Sequence, residues 1–139
     1  MVAPSFAPLS LLIPGGPGAA RRARHAVLGR LAGQLSDVAA NDLGVVISEL
    51  VSNSVVHAGV GPGRYLRVNV GAVEDHLLVA VSDRGSITVP RLSATGDDDA
   101  EGLGLRLVDR LTESWGVARD GTGRTQVWCE LALRETSAA

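Results

Sequence analysis

The chain contains no lysine, so all 13 of its basic residues are arginine. A P-loop needs a lysine that reaches the nucleotide phosphates, and Schiff-base chemistry needs a lysine amine, so both are excluded. The single cysteine, Cys129, excludes an internal disulfide and a cysteine-rich zinc site. The three histidines, His25, His57 and His76, are too scattered to indicate metal-ligand spacing.

Aromatic residues make up only 3% of the chain, and its net charge is −2. Neither a stacking platform nor a basic field for nucleic acid is expected, so we predict no direct nucleic-acid partner. Long hydrophobic runs are also missing, since the early run 9–13 is far shorter than the roughly 18 residues that span a bilayer. Arg21, Arg22 and Arg24 follow that run, whereas the charges of a signal peptide come first. We therefore predict a cytoplasmic protein with no membrane partner.

The length of 139 residues and the hydrophobic share of 45% suit one packed domain. We predict that this domain covers residues 1–134 and that 135–139 form a frayed tail. Apolar spacing predicts the order strand Ser5–Ile13, a helix from Ala19, helix Val38–Ala58, a hairpin of Tyr65–Val70 and Leu77–Val81, helix Leu103–Thr112, and strands Trp115–Arg119 and Thr125–Leu133.

The predicted strands are grouped in hairpins, separated by helices. This order predicts an α+β fold, a two-layer sandwich whose mixed, mainly antiparallel sheet carries the helices on one face. Ser36 or Asp37 is the predicted cap of the second helix, and Glu74-Asp75 is the predicted turn of the first hairpin.

Polar residues form a narrow stripe on the second predicted helix. Glu49, Asn53 and His57 stand at i, i+4 and i+8, and each step of four turns the helix by about 40°, so the three lie near one line, with Asp42 close to it. Most such stripes are the solvated face of a helix, and by itself this stripe favours that interpretation. The alternative is a site, because a carboxylate one turn from an amide suits a hydrated magnesium ion.

Three shorter segments carry weaker signals. Asp83 follows a buried strand and precedes Gly85, at a sheet edge where ligands bind and where ordinary turns also occur. The segment Gly102-Leu103-Gly104-Leu105 opens a predicted helix, which suits either phosphate binding by backbone N–H groups or a flexible joint. The segment Gly123-Arg124-Thr125 by itself indicates a plain hairpin.

Together these segments resemble a known family. Four segments follow the order and approximate spacing of the conserved motifs of the Bergerat-type, or GHKL, ATPases. They are Asp42–Gly59, Val81–Gly85, Glu101–Val108 and Gly121–Leu131. Ile47–Ala58 resembles the N box of this family, and Gly102–Val108 resembles its second glycine box. Within the family the chain is most similar to the small bacterial anti-sigma factor serine kinases, and the Bergerat fold agrees with the predicted sandwich.

The resemblance implies a role for each matched position. Asn53 would hold the magnesium ion that bridges the ATP phosphates, and Glu49 would be the general base for the attacking hydroxyl or water. Asp83 would accept a hydrogen bond from the adenine amino group. Gly85 would let the base lie close to the backbone, and Thr125 would support the adenine side.

The resemblance also implies a partner-binding residue and the residues around the phosphates. Arg24 matches a position that these anti-sigma factors use to bind protein partners. Ser93–Glu101 would be a lid over the phosphates. Arg84 and Arg106 lie beside the motifs and would neutralise phosphate in a chain without lysine. Backbone donors at the phosphates would come from the second glycine box, which comprises Gly102, Leu103, Gly104 and Leu105.

The sequence departs from the family pattern in two places. Ser86 stands near the position of a second glycine that usually follows the Asp-x-Gly segment. The expected lid contains Asp97-Asp98-Asp99, which would repel the ATP phosphates unless magnesium or arginine intervenes.

We therefore expect an ATP-binding regulator that resembles an anti-sigma factor, with serine/threonine protein kinase activity and with ATP and Mg²⁺ as cofactors. Its expected partners are a sigma factor, an anti-anti-sigma protein or both, and the resemblance implies a homodimer. Two alternatives stay open. One is a nucleotide-dependent binding switch without catalysis. The other is the ATPase subunit of a split two-component sensor, since we see no phosphoacceptor helix pair in the sequence.

Overall fold

The computed structural model describes residues 8–58, 60, 61, 63–84, 100–119 and 124–133. For residues 57, 58, 84, 100–105 and 119 it describes the backbone alone. Along this part of the chain, five strands and three helices follow in the order β1 (Leu9–Pro14), α1 (Ala19–Arg30), α2 (Asp37–Ala58), β2 (Tyr65–Val73), β3 (His76–Arg84), α3 (Ala100–Leu111), β4 (Ser114–Arg119) and β5 (Arg124–Ala132).

One sheet holds the five strands, in the order β1-β2-β3-β5-β4. The pairings between the described strands are all antiparallel, which confirms the predicted α+β fold with a mainly antiparallel sheet. β2 and β3, and likewise β4 and β5, are consecutive along the chain, which favours antiparallel pairing. The β1–β2 and β3–β5 pairs are antiparallel as well, although helices lie between their strands in the sequence. The β2–β3 hairpin turns at Glu74 and Asp75 as predicted, and Glu74 has a left-handed backbone with φ of 54°.

Alternation along the strands separates an inner face, toward the helices, from an outer face, toward solvent. In β5, every second residue from Thr125 to Leu131 is buried. Val68, Val81 and Val127 are register partners across three neighbouring strands, and all three are buried. Because opposite residues of antiparallel strands share a face, these rows form the sheet half of the apolar core.

The helices form the second layer. Helix α1 buries Ala19, Ala23 and Val27 at four-residue spacing, and α2 packs against α1, α3 and β3. Close packing of α1 on α2 depends on a small residue, since a Cβ on Gly44 would lie 3.2 Å from Leu28 Cδ1. None of the helices in the described ranges is both long and apolar enough to cross a membrane.

Helix α2 begins at its predicted cap. The Ala39 backbone N–H donates a hydrogen bond to Ser36 Oγ over 3.1 Å, so Ser36 is the N-cap. Asp37 lies in the first turn, where its negative charge suits the helix dipole. Helix α1 ends at Arg30, so Leu35, which continues its apolar spacing, lies in the connection and packs on the edge of the core.

The β1–α1 turn is held against the α2–β2 connection. The Gly15 N–H donates to the Arg64 carbonyl oxygen over 2.8 Å, and the Gly16 N–H donates to the Val60 carbonyl oxygen over 2.7 Å. A Cβ on Gly15 would come within 2.3 Å of that Val60 oxygen, so this approach requires glycine. The contact fixes the start of β2 at the end of the sheet where β3 ends.

Helix α3 begins three residues earlier than predicted, at Ala100 instead of Leu103. The last two residues of the expected lid, Ala100 and Glu101, therefore belong to this helix, and the glycine segment lies inside its first turns. The prediction failed because Gly102 and Gly104 each disfavour a helix by about 1 kcal/mol, which tertiary packing can override. At the other end, Thr112 Oγ1 donates to the Val108 carbonyl oxygen over 2.7 Å.

Cys129 is a core residue and has no exposed surface. Burial is the main cause that raises the pKa of its thiol to about 12, and the nearby charge of Glu130 adds to the rise. The thiolate form is therefore unfavourable at neutral pH, which makes Cys129 a packing residue and not a nucleophile.

Both ring nitrogens of His76 face carboxylates. Nδ1 lies 2.8 Å from Asp75 Oδ1, and Nε2 lies 2.5 Å from Glu113 Oε1. Because Glu113 connects α3 to β4, the contact ties the β2–β3 turn to that connection. The hydrogen bond with Glu113 raises the pKa of His76 above 6.5, the charges of Glu113 and Asp75 add to the rise, and desolvation opposes it in part.

We expect the His76 contact to stabilise the fold most at low pH. A raised pKa in the folded state means that the contribution is fully present below the unfolded value and is lost as the pH rises through the folded value. In urea titrations from about pH 6 to about pH 9, the free energy of unfolding of wild type should therefore fall toward that of His76→Asn. Parallel curves for wild type and His76→Asn would contradict the link.

Candidate functional site

Polar side chains are buried at six positions in the described part of the chain. They lie on α2 or toward one end of β3 and β5, and they are Asp42, Asn53, Ser54, Ser82, Asp83 and Thr125. Since α2 packs against β3, Asp83 and Thr125 lie on the face of the sheet that the helices cover, whereas Ser82 lies on the outer face. Burial of polar groups is unfavourable unless they gain partners, and Asn53, Ser54 and Thr125 each have a polar atom with no partner among the described residues.

Asn53 is the most informative member on the helix. It is 2% exposed, and its Nδ2 donates to the Glu49 carbonyl oxygen over 2.9 Å. This bond orients the amide, and Asn53 Oδ1 has no hydrogen-bond partner among the described residues. The half-buried Glu49 lies one turn earlier, so its carboxylate and the amide occupy the same side of α2.

The interpretation of the α2 stripe as a solvated face is wrong for two of its members. Asn53 is almost fully buried and Asp42 is 9% exposed, while Glu49 is half-buried. The side chain of His57 lies outside the described residues. The reason is the position of α2, which contacts α1, α3 and β3 and so has no wide side open to water.

Asp83 and Thr125 are register partners on β3 and β5. They are 5% and 1% exposed, in the row that continues the inner-face valines Val81 and Val127. Thr125 Oγ1 has no hydrogen-bond partner within the ranges that the structure describes. A carboxylate acceptor beside a hydroxyl that can donate and accept suits a ligand with both N–H groups and acceptor atoms.

Ser54 belongs to this group although the sequence analysis did not select it. It is 2% exposed, and its Oγ also has no partner among the described residues. Ser54 stands seven residues after Ile47 and three after Val51, so it continues the apolar stripe of α2. A hydroxyl at a position where helical spacing calls for an apolar side chain was the available signal.

Arg24 lies apart from the buried group. It is an exposed residue of α1, and its Nη1 donates to Ser48 Oγ over 3.4 Å. Its side chain crosses to α2 beside Gly44, where an added Cβ would lie 3.4 Å from Arg24 Cδ. The guanidinium is therefore held at the surface of α2 next to Ser48, the chain neighbour of Glu49.

Part of the predicted site lies outside the described residues. This holds for Gly85, for Ser86 and for residues 93–99 of the expected lid. Arg84 is the last residue of β3 and pairs in register with Arg124, and Arg106 is half-buried in α3. The second glycine box, Gly102, Leu103, Gly104 and Leu105, lies in the first turns of α3, where the structure describes the backbone alone.

A magnesium ion fits the donor chemistry of Asn53. Across the described ranges, no three His, Cys, Asp or Glu side chains come together as a metal-binding cluster. Mg²⁺ prefers oxygen ligands, keeps several waters and commonly takes other ligands from substrate phosphates. The buried Asn53 Oδ1 suits a metal of this kind as one protein ligand, with the rest coming from the substrate and water.

The sequence profile of one family, described as histidine kinase-like ATPase domain, matches residues 13–130. A search of curated proteins by sequence finds no match. Among solved structures, the Acinetobacter baumannii histidine kinase AdeS is similar at 15% identity with a TM-score of 0.48, over 94% of this chain and 70% of that one.

The matched range extends from Ile13 in β1 to Glu130 in β5. It includes both layers of the fold and all the buried polar side chains described above, and it is well over half of the 139 residues. The chain therefore belongs to the family of histidine kinase-like ATPase domains.

Proposed function

We propose that the chain binds ATP with magnesium between α2 and the inner face of β3 and β5, and that it is a regulatory serine/threonine protein kinase resembling an anti-sigma factor. One observation carries this proposal: Asn53 and Thr125 are buried, and each keeps a polar atom with no partner among the described residues. A buried polar group left unsatisfied costs about 1–3 kcal/mol. A ligand that supplies the missing hydrogen bonds would therefore bind favourably there.

The adenine base would bind at the end of the sheet. The Asp83 carboxylate is an acceptor for the exocyclic amino group, and the neighbouring Thr125 hydroxyl can bond a ring nitrogen directly or through water. Val81 and Val127, which precede and follow this pair on the inner face, offer an apolar wall for the ring. This combination of acceptor, hydroxyl and apolar wall supports a purine ligand.

The phosphates would extend toward α2 and α3. Asn53 Oδ1 would be a magnesium ligand, and the metal would supply charge neutralisation for phosphoryl transfer. In a chain without lysine, the protein's own cations must be arginines, and Arg106 lies on α3, which packs on α2. This placement supports Arg106 as a phosphate contact.

Glu49 would act as the general base. It stands one turn before Asn53, and it would take the proton from an attacking hydroxyl, whose oxygen would bond the γ-phosphorus as ADP leaves. Arg24 is an exposed cation on α1, and it is held beside Ser48 on α2, the helix that also carries Glu49. This position supports contact with a protein partner, whose hydroxyl would be the acceptor. The N box and the second glycine box, which resemble those of anti-sigma factor serine kinases, support a sigma factor, an anti-anti-sigma protein or both as partners.

Asp83→Asn tests the nucleotide site. The amide would turn an N–H donor toward the adenine amino group, so affinity for Mg·ATP, measured by calorimetry, should fall at least about tenfold. Asp75→Asn makes the same chemical change in the turn at the other end of β3 and should bind as wild type does. Undiminished binding by Asp83→Asn would exclude the kinase, the binding switch and the sensor subunit together.

Thr125→Val separates stability from binding. The substitution removes a buried hydroxyl at nearly constant shape, so the unliganded protein should gain about 1 kcal/mol of unfolding free energy, while its stabilisation by Mg·ATP should shrink. Thr112→Val is the matched control and should lose stability, because its hydroxyl donates to Val108. Equal destabilisation of both variants would show that the Thr125 hydroxyl has a structural partner.

Glu49→Gln tests the catalytic step. The amide cannot accept the proton, so Mg·ATP affinity should stay close to wild type while transfer of labelled γ-phosphate to proteins of a source-cell extract slows by about 10²–10⁴-fold. Glu130→Gln, on β5, should transfer at the wild-type rate.

The label itself discriminates among the three functions. Acid-stable phosphoprotein supports serine or threonine as the acceptor, whereas acid-labile label supports the split sensor. Binding of Mg·ATP without transfer by wild type supports the switch. Transfer by Glu49→Gln at the wild-type rate would remove Glu49 from the role of base.

A further inference from the structure

A pocket of about 310 Å³ lies on the outer face of the sheet, over the end where β2 begins and β3 ends. Leu12, Arg67 and Ser82 line it and are consecutive register partners on β1, β2 and β3. Their chain neighbours Leu66 and Val81 are buried on the inner face, so this row points away from the helices. This row therefore lies on the opposite side of the sheet from the proposed ATP site, and Asp83, near the end of β3, lines the pocket as well.

The lining of the pocket is positively charged. Arg64, Arg67 and Arg124 contribute three positive charges and Asp83 one negative charge, a formal sum of +2 on a chain whose net charge is −2. The planar guanidinium fork matches the spacing of phosphate oxygens and binds them in pairs. Charge and geometry together favour a ligand with a phosphate group.

Two of the arginines are anchored by hydrogen bonds, Arg67 through its side chain and Arg64 through its backbone. Arg67 Nη1 donates to Ser10 Oγ over 2.7 Å, which draws the guanidinium toward β1 and uses one of its five donors. The Arg64 N–H donates to the Gly61 carbonyl oxygen over 3.1 Å, and the Arg64 carbonyl accepts the bond from Gly15. Groups that are already oriented lose less entropy when a ligand binds.

Two large side chains with apolar surface stand beside these charges. Tyr65 is 58% exposed and Leu12 is 57% exposed, and both line the pocket. A free inorganic anion would leave them in water, whereas a polypeptide carrying the anion would cover them. The volume is at the small end for ligand pockets, which suits one modified side chain better than a cofactor.

We propose that this pocket binds the phosphate monoester of a phosphorylated serine or threonine in a partner polypeptide. Arg67 and Arg124 bind the phosphate oxygens, and Leu12 and Tyr65 pack against the flanking residues of the partner. Arg67 and Leu12 lie on the other face of the sheet from the proposed ATP site, and Asp83 borders both sites.

The probe is a capped pentapeptide with phosphoserine between two leucines, so that the phosphate is its only charge. In NMR titrations of the full chain, we expect backbone amide signals near 64–67, 82 and 124 to shift while those of α2 stay in place. Arg67→Gln should weaken binding at least about tenfold. Arg67→Lys keeps the positive charge but lacks the planar guanidinium fork, so its affinity should lie between those of wild type and Arg67→Gln. If Arg67→Gln does not fold, Arg124→Gln tests the same proposal and should also weaken binding of the phosphopeptide.

Matched probes and a matched variant make the proposal refutable. Arg21→Gln removes an exposed arginine from α1 and should bind as wild type does. Equal weakening by Arg21→Gln, or equal binding of the unphosphorylated peptide or of a glutamate peptide, would overturn the proposal. Inorganic phosphate that binds as tightly as the phosphopeptide would assign a free-anion site, and shifts centred on Asn53 would place the peptide in the nucleotide layer. Either result would also overturn it.

Discussion

Helix α2 has to serve as the central core helix and to carry buried polar side chains at the same time. It packs against α1, α3 and β3, so most of its length is apolar, with Leu43, Ile47 and Leu50 fully buried. Burial of each such side chain stabilises the fold by about 1.5–3 kcal/mol. This apolar packing offsets the cost of Asn53 and Ser54, each of which buries a polar atom that has no partner among the described residues. The polar group can persist only because the rest of α2 holds it in place.

The register of the sheet places the partner side chains. Asp83 and Thr125 face the helices because they share a face with Val81 and Val127, and a slip of one residue would turn the pair toward solvent. The same alternation turns Arg67 to the outer face. One end of the sheet therefore presents two different surfaces, an inner face with Asp83 and Thr125 and an outer face with Arg67, as a direct result of the two-residue period of a strand.

Backbone contacts fix that end of the sheet. The bonds from Gly15 and Gly16 to the α2–β2 connection set where β2 begins, and Gly15 is required by the close approach of the Val60 carbonyl oxygen. The opposite end is tied by His76 and Glu113. Since both connections are anchored, the strand ends that carry Asp83 and Arg67 are well placed for binding.

Much of the fold could be predicted from local signals. The Ser36 cap, the Glu74-Asp75 turn and the hairpin strands follow from short-range rules of capping, turn chemistry and alternation, and the structure confirms them. The start of α3 could not be predicted in this way, because glycine propensity favours a later start and tertiary packing overrides it. The degree of burial of the α2 stripe was also hidden, since helical spacing shows which residues share a side but not what covers that side.

The sequence by itself determined the chemistry that is available: a lysine-free chain with Glu49 and Asn53 one turn apart, Asp83 after a strand, and the order of motifs that resembles a family of ATPases. The tertiary structure decided which of these groups lie next to each other and which are buried away from water. Only strand pairing sets Thr125 opposite Asp83, and only the packing of α2 within the second layer buries Asn53. Residues that are distant in the chain become neighbours through burial and register, and neither can be read from local spacing.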